Sequence, residues 1–322
     1  MRAHSLAGHV GGWVTFTVNG VDVPGCTHIA LRRTDTAICH LSGYARPGTY
    51  VVSAYYSGSG KYVARVMRAD EHVAPPWHKV WILSSTGSVQ ARGGTSAAPS
   101  TTEVTGARAS SPVAVAATPN DAGYWVLEGS GRVEAVGNAR REGPRGRPSK
   151  GPFVAIASSV DGRGYFLLSR RGAIDSFGDA PVLHGAKLRS AAVGFAITPD
   201  GRGALILCRD GAIVAFGDAK VLGEPAARHA RGPFVGIVED PSGRGYLVLT
   251  ARGVVLSFGN AHRLGNGPAG AAPYRAIAST GDGHGYFLLA RDDLFGFGDA
   301  RGLLGRSGAF HVAGSDVAIA GT

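Results

Sequence analysis

The stretch GYFLLSRRGAIDSFGDAPVLHG, residues 164–185, decides the fold of most of the chain. Its opening run, Tyr165 to Leu168, is apolar throughout, which is typical of a strand covered on both faces. An Arg-Arg-Gly turn separates this run from a second one, and Gly178 with Asp179 ends the second, because glycine accepts positive φ and aspartate bonds its own backbone. A unit built from such strands needs neighbours to cover it.

Copies of this unit recur along the chain. They begin at Gly123, Gly164, Gly203, Gly245 and Gly285, so the starting glycines are 41, 39, 42 and 40 residues apart. A degenerate copy, VWILSSTGSVQARGG, begins at Val80. A period of about 40–45 residues is typical of the four-stranded blade of a β-propeller.

Another apolar strand precedes each of the five glycines, as in VAIASS from Val154. No such strand precedes Val80, whereas a sixth instance, DVAIAGT, occupies residues 316–322. A ring uses this offset to close and to leave no open inner edge. The sequence therefore predicts an all-β chain with a six-bladed β-propeller over residues 79–322, closed by the C-terminal strand.

The first 68 residues have a different period, and residues 69–78 are interpreted as a linker. Alternating polar and apolar residues predict strands over 13–18, 27–31, 36–41, 49–56 and 62–66, with Asn-Gly and Ser-Gly turns between them. This pattern predicts a small antiparallel β-sandwich.

Four segments of this region, GWVTFTVNG, VPGCTHIAL, AICHL and GTYVVSAYYSGSGKY, resemble the later half of a bacterial Ig-like domain of the surface-protein type. The family has two further strands before the position of Gly12, so we expect a partial domain and an incomplete N-terminus. From the residues alone, Cys26 and Cys39 are either a disulfide or two buried thiols. The resemblance implies the disulfide, which is typical of small secreted domains.

The repeat also resembles a known group, through its GYxxL strand followed by FGDA. It is similar to the GYW and FGDA repeats of secreted actinobacterial proteins, which occur beside Ig-like modules and cell-wall enzymes. The resemblance implies a secreted or cell-surface protein but no defined activity. The first twelve residues, MRAHSLAGHVGG, lack the apolar segment of a signal peptide, which again leads us to expect an incomplete N-terminus.

Charge is the strongest compositional signal. The formal net charge is +10 and the pI about 9.8. Two interpretations stay open: a GC-rich genome, which favours arginine codons, or an anionic partner. The chain has no apolar run of 18 residues, so we expect no membrane span.

The usual catalytic and metal motifs are missing from the sequence. It contains no G-x-S-x-G, H-E-x-x-H or Cys-x-x-Cys pattern, and its histidines lack ligand spacing. Cys208 is interpreted as a small buried hydrophobe rather than a nucleophile. An Asp or Asn recurs after the glycine that ends each second run, and it is interpreted as a turn residue with one carboxylate per site, too few for calcium. These residues are Asn138, Asp179, Asp218, Asn260 and Asp299. We expect no metal and no cofactor.

Basic residues recur in two kinds of connection. If the chain reverses after every strand of a four-stranded blade, the turn between second and third strands and the crossover between blades emerge on one face. We expect eight basic residues to share that face and to bind a ligand: Arg170, Arg171, Arg209, Arg252, Arg140, Arg147, Lys187 and Arg231. The alternative is ordinary solvated loops.

These observations favour a non-catalytic secreted or cell-surface binding or adhesion protein. Its expected partner is an anionic cell-envelope glycan or surface polymer, with other surface proteins as further candidates. One alternative is a propeller hydrolase or lyase acting on cell-wall polysaccharide. Two acidic side chains at the channel entrance would favour that enzyme, and a Val, Ala and Ile lining would count against it. Another alternative is a purely structural module. Nucleic acid is not expected, because no basic strand or helix is interleaved with aromatic residues.

Overall fold

A computed structural model describes most of the chain, and the chain divides into two compact units, Met1–Trp77 and His78–Thr322. The described residues are 11–18, 20–23, 25–31, 37–39, 48–60, 62–73, 79–93, 102–104, 111–144, 149–183, 185, 187–225, 230, 232–271, 273–291, 293–304, 308–311 and 316–321. The predicted binding residues Arg147 and Arg231 lie outside them.

The first unit contains one antiparallel sheet of five strands. The strands are β1 Trp13–Val18, β2 Val21–Asp22, β3 Ile29–Ala30, β4 Gly48–Tyr56 and β5 Arg65–Val73. Strand β1 pairs with β2, β3 and β4, and β4 pairs with β5 along its whole length. The described residues hold this single sheet, so the second sheet of the predicted sandwich is not among them.

Two of the predicted strands in this unit differ from the observed ones. The strand expected over 62–66 begins at Arg65, because Ser59 and Tyr62 form a bridge that extends the preceding turn. It continues to Val73 opposite Gly48, so residues 69–73 of the predicted linker belong to β5. The strand expected over 27–31 is reduced to β3, and the one expected over 36–41 lies mostly outside the described residues.

The core of the first unit encloses its two cysteines. Cys26 and Cys39 form a disulfide with their Cα atoms 5.6 Å apart, as the resemblance implied. They pack in one buried cluster with Val14, Phe16 and Ala54. Because the cluster is small, it buries little apolar surface, and the disulfide contributes stability that a larger core would otherwise provide.

The second unit is built from six antiparallel sheets. In five of them, the first, second and third strands follow one another along the chain. In the sixth, the C-terminal strand takes the place of the first strand. The first strands are β9 Pro112–Ala117, β12 Phe153–Ser158, β15 Ala192–Ile197, β18 Phe234–Glu239, β21 Ala276–Ser279 and β25 Asp316–Ala320. The second strands are β6 Val80–Ser84, β10 Gly123–Glu128, β13 Gly164–Ser169, β16 Ala204–Cys208, β19 Gly245–Thr250 and β22 Gly285–Leu289. The third strands are β7 Val89–Arg92, β11 Val133–Gly137, β14 Ile174–Gly178, β17 Ile213–Phe216, β20 Val255–Gly259 and β23 Asp293–Gly298.

The C-terminal strand completes the sheet of the first repeat. In β25, Ala318, Ile319 and Ala320 lie opposite Leu83, Ile82 and Trp81 of β6. The pairing predicted from the offset of strands is thus confirmed.

Among the described residues, two sheets have a fourth strand, which is β8 Thr102–Val104 in one and β24 Ala309–His311 in the other. A four-residue helix, α1 Ala300–Leu303, precedes β24. Residues 181–183, which follow the turn at Gly178 and Asp179, form no strand. Pro181 has no amide hydrogen for a strand ladder, and its carbonyl instead accepts a 2.7 Å hydrogen bond from the Ser176 hydroxyl. Among the described residues, no helix is long and apolar enough to cross a membrane.

The second strands are buried on both faces because neighbouring sheets pack against each side. The rings of Trp125 in β10 and Tyr165 in β13, from adjacent sheets, have centroids 5.6 Å apart. Both belong to a cluster with Leu127, Ile156 and Leu167. The GYFLL-type run is therefore apolar at every position, as a strand enclosed between two layers requires.

Candidate binding site

The turns between second and third strands lie beside the starts of the first strands. The Arg170 amide donates to the Pro152 carbonyl at 2.8 Å, and the Arg170 carbonyl accepts from the Ala192 amide at 2.9 Å. The Arg209 amide donates to the Ala191 carbonyl at 2.9 Å in the same way. Each turn is thus held against its own sheet and, for Arg170, against the next one. We call this side of the second unit the arginine end.

Four predicted residues project from these turns. Arg170 and Arg171 follow β13, Arg209 follows β16, and Arg252 follows β19. All four are exposed, and none forms an ion pair with another described residue. Arg132, at the equivalent turn after β10, differs because it pairs with Glu134 at 2.9 Å. The arginine end therefore carries several positive groups that are available to a ligand.

Lys187 lies near the same end, and Arg140 does not. Gly185 comes within contact of the backbone at Gly172, in the turn after β13, so Lys187 follows at the arginine end. Arg140 instead lines a surface depression with Asp161, Arg163 and Asp179, at the opposite side. The prediction that Arg140 shares the face of Arg170 is wrong.

Strand number explains the position of Arg140. A fourth strand would have returned the chain to the arginine end before the crossover. The described residues of this sheet form three strands, so the chain leaves β11 at the other side, and Arg140 comes three residues after its last residue, Gly137. The Trp125 indole holds it there by donating to the Arg140 carbonyl at 2.7 Å.

That other side carries paired acids, and we call it the aspartate end. One member of each pair comes from the turn between first and second strands, and the other follows the third strand. The Thr280 hydroxyl bonds to Asp282 at 2.8 Å and Asp299 at 3.3 Å, and Thr198 bonds to Asp200 and Asp218 at 2.7 and 3.3 Å.

The sequence interpretation of one carboxylate per site is thus wrong for these repeats. Burial and the neighbouring Asp282 carboxylate raise the pKa of Asp299 to about 6. The pKa of Asp282 is lowered despite its burial, by hydrogen bonds from the His284 amide and from Thr280. Within the described ranges, no group of three or more Asp, Glu, His or Cys residues could hold a metal ion.

A cavity of about 330 Å³ runs where the six first strands meet. The last residues of every first strand line it, and they are mostly Val, Ala, Ile and Phe. The polar side chains among the described lining residues are Ser158, Ser279 and Glu239. We call this the axial cavity, and it lies toward the aspartate end, because the first strands begin at the arginine end.

Glu239 is the functional candidate that the sequence interpretation missed. Burial raises the pKa of its carboxyl to about 7, with further contributions from the charges of Asp218, Asp200 and Asp240. Its Oε2 atom is buried and has no hydrogen-bond partner among the described residues. Aligning the repeats would have revealed it, since the equivalent residues are Ala117, Ser158, Ile197, Ser279 and Gly321.

Cys208, in contrast, has the properties expected of a core residue. It is buried within β16, and burial raises the pKa of its thiol to about 11. A thiol with a raised pKa is a poor nucleophile, because the thiolate is the reactive form.

Comparison with known proteins gives information on the fold alone. No protein-family model matches the chain, and no curated protein matches it. Many solved structures are similar. A chain of a nidogen/laminin complex aligns with a TM-score of 0.55 at 12% identity, over 76% of this chain and 97% of that one.

A second similar structure is the Myceliophteria thermophila Cps50 (Swd1) β-propeller domain. It aligns with a TM-score of 0.44 at 14% identity, over 58% of this chain, and the chain spans 65% of that structure. Together with the six sheets around one cavity, the likeness to the nidogen/laminin chain shows that the second unit is all-β and propeller-like.

Proposed function

We propose that this protein is a non-catalytic binding protein that holds an anionic polymer at its arginine end. The observation that carries the proposal is the set of exposed arginines at equivalent turns, free of ion pairs within the described residues. Arginine forms two parallel hydrogen bonds with carboxylates or phosphates, so repeated turns offer evenly arranged contacts for repeated anionic groups. The net charge of +10 adds long-range attraction.

The expected ligand is an anionic cell-envelope glycan or surface polymer, and the expected location is the cell surface or the medium. The Cys26–Cys39 disulfide supports an oxidising compartment. The resemblance of the first unit to Ig-like domains and of the repeats to secreted actinobacterial proteins supports the same location. We also propose that the six sheets are the six blades of a closed ring.

A polysaccharide hydrolase or lyase is the weaker candidate. Glycoside hydrolases commonly use two carboxyl groups flanking the bond that is cleaved. The axial cavity is lined largely by Val, Ala and Ile, with Glu239 as the acidic residue among the described lining residues. This composition favours binding over hydrolysis.

The test is retention of the purified full chain on immobilised polygalacturonate, a carboxylate polymer, with neutral dextran as the reference. We expect retention on the anionic polymer to fall steeply as salt rises from about 0.05 to 0.5 M, because salt screens exposed charges. The double variant Arg170→Glu/Arg209→Glu should bind about tenfold more weakly, which corresponds to roughly 1.4 kcal/mol.

The matched control is Arg202→Glu/Arg244→Glu, which makes the same change in charge at exposed turns of the aspartate end. It should retain most of the binding. Equal loss in both variants would reduce the effect to net charge, and unchanged retention of all proteins at every salt concentration would favour a structural module.

A further inference from the structure

One repeat differs from the others in the residue type at the end of its first strand. Five of these positions hold small or apolar residues, and the sixth holds Glu239. The next position differs too, because Asp240 replaces the Thr or Ser of the other repeats. Asp240 accepts from the Ser242 amide at 2.9 Å, and the Ser242 hydroxyl accepts from the Asn260 side chain at 3.1 Å. The repeat that contains Glu239 therefore makes one side of the axial cavity chemically different from the rest of its lining.

Glu239 sits between two spaces. It borders the axial cavity and also a small pocket that it shares with Leu247, His262 and Ser279. Ser279 borders both spaces, so a hydroxyl lies beside the carboxyl without bonding to its buried Oε2 atom. A buried carboxylate oxygen without a hydrogen-bond donor is costly, and a ligand that supplies the donor removes that cost.

We propose that the axial cavity binds a primary ammonium group carried on a short apolar stem, with Glu239 as its anionic acceptor. The Val, Ala and Ile walls suit the methylene groups of the stem, while the Ser279 hydroxyl, which borders the same two spaces as Glu239, accepts a further ammonium hydrogen. This site is separate from the proposed polyanion surface, since it lies toward the aspartate end.

The charges around Glu239 favour a cation over other ligands. Asp200 and Asp218 come from the preceding sheet, and Asp240 comes from the adjoining turn. Their negative charges would repel an anionic ligand beside Glu239. A hard divalent cation needs six or more oxygen ligands, whereas the described cavity offers one carboxyl group and two hydroxyls. An ammonium group needs only a few acceptors, so it fits the groups present.

The experiment is a calorimetric titration of the full chain with n-butylammonium at pH 8, and with 1-butanol as the neutral probe of the same shape. We expect saturable binding of the ammonium and at least tenfold weaker binding of the alcohol. The isosteric variant Glu239→Gln should bind n-butylammonium about tenfold more weakly, as the loss of a charged hydrogen-bond partner requires. Glu142→Gln, with the same loss of charge outside the axial cavity, should bind like the native protein.

A second measurement needs no variant. The titratable groups that face Glu239 are Asp200, Asp218, Asp240 and His262. Burial, with the charges of the three aspartates, raises the pKa of the Glu239 carboxyl to about 7, so ammonium affinity should rise between pH 6 and pH 8. The proposal is overturned if the native chain shows no saturable binding, if butanol binds equally well, if Glu239→Gln binds unchanged, or if affinity is flat over this pH range. None of these outcomes bears on the arginine end, so the two proposals fail separately.

Discussion

The side chain of Arg275 donates a 2.7 Å hydrogen bond from Nη1 to the backbone carbonyl of Asp316. This contact joins the last repeat to the strand that completes the first. The equivalent position of the other first strands holds valine, at 113, 154, 193, 235 and 317. Arginine therefore replaces valine in the repeat that borders the C-terminal strand, and its bond fixes the start of β25, whose Asp316 is buried.

Arg275→Ala should lower the stability of the second unit by roughly 2 kcal/mol, because a hydrogen bond from a charged donor to a buried acceptor is lost. The measurement is the free energy of unfolding in urea, monitored by tryptophan fluorescence. Arg202→Ala, at an exposed turn, is the control and should change stability by less than about 0.5 kcal/mol. An equal effect of both substitutions would contradict a closing role for Arg275.

Removal of residues 316–322 should have a much larger effect. The deletion leaves β6 without its ladder partner and exposes the buried face that Ala318 and Ile319 cover. We expect the thermal midpoint of the second unit to fall by well over 10 °C or its cooperative transition to disappear, as followed by circular dichroism. An unchanged midpoint would show that the second unit does not depend on this strand.

Reduction of the Cys26–Cys39 disulfide should destabilise the first unit. The bridge closes a short loop, and a loop of about 15 residues corresponds to roughly 3 kcal/mol in the chain-entropy model. Differential scanning calorimetry with and without dithiothreitol should show the loss in one transition. The Cys26→Ala/Cys39→Ala variant should unfold early under both conditions, and any further response of that variant to dithiothreitol would point to Cys208 instead.

The sequence was sufficient to predict the pairing of the C-terminal strand. The repeat period shows that the first repeat lacks its first strand and that a spare first strand ends the chain, and both facts can be read from the order of the residues. The position of Arg140 was not predictable in this way. It depends on whether a fourth strand forms, and that depends on tertiary pairing rather than on local pattern. The positions of Arg170 and Arg209 were predictable, because the turn between second and third strands lies at the same end of the sheet whether or not a fourth strand forms.

The aspartate pairs and Glu239 were within reach of the sequence. Because the chain reverses direction after every strand, the turn with Asp161 and the turn with Asp179 lie at the same end of a sheet. The same argument placed the arginines of different turns at one end. The raised pKa of Glu239 could not be predicted, because it arises from burial and from charges that the fold brings together from other strands.

Asp299→Asn should stabilise the second unit, and more so at neutral than at acidic pH. The folded pKa of about 6 exceeds the ordinary value of 3.8, so ionisation of the native Asp299 carboxyl lowers the stability of the fold as the pH rises from 3.8 to about 6. The pKa of the neighbouring Asp282 is lowered, so the stability that this residue contributes is lost as the pH falls. The amide removes the first effect and can donate to its partner as Asn138 does to Asn120, at 2.9 Å.

The measurement is the thermal midpoint at pH 4.5 and pH 7.5. The midpoint of Asp299→Asn minus that of the native chain should be larger at pH 7.5. Asp210→Asn, in an exposed turn, serves as the control and should show no such trend. A difference that is constant with pH would mean that the Asp299 carboxyl does not titrate near pH 6 in the folded chain.

The starting glycine, present in five of the repeats, is required by contact rather than by backbone conformation. A Cβ atom on Gly164 would lie 2.3 Å from the Phe177 carbonyl oxygen and 2.7 Å from the Ala180 nitrogen. Both are backbone atoms and cannot move aside without separating β13 from β14. Gly164→Ala should therefore destabilise the second unit by about 1–3 kcal/mol, the usual cost of overpacking.

Gly143→Ala is the matched substitution, because no atom lies within 4 Å of a Cβ at that position. Equilibrium unfolding in urea should leave this control within about 0.5 kcal/mol of the native protein. If Gly164→Ala were equally well tolerated, the close approach of the two strands would not be what restricts this position to glycine. The repeated GYxxL signature would then need another explanation, such as the turn that precedes it.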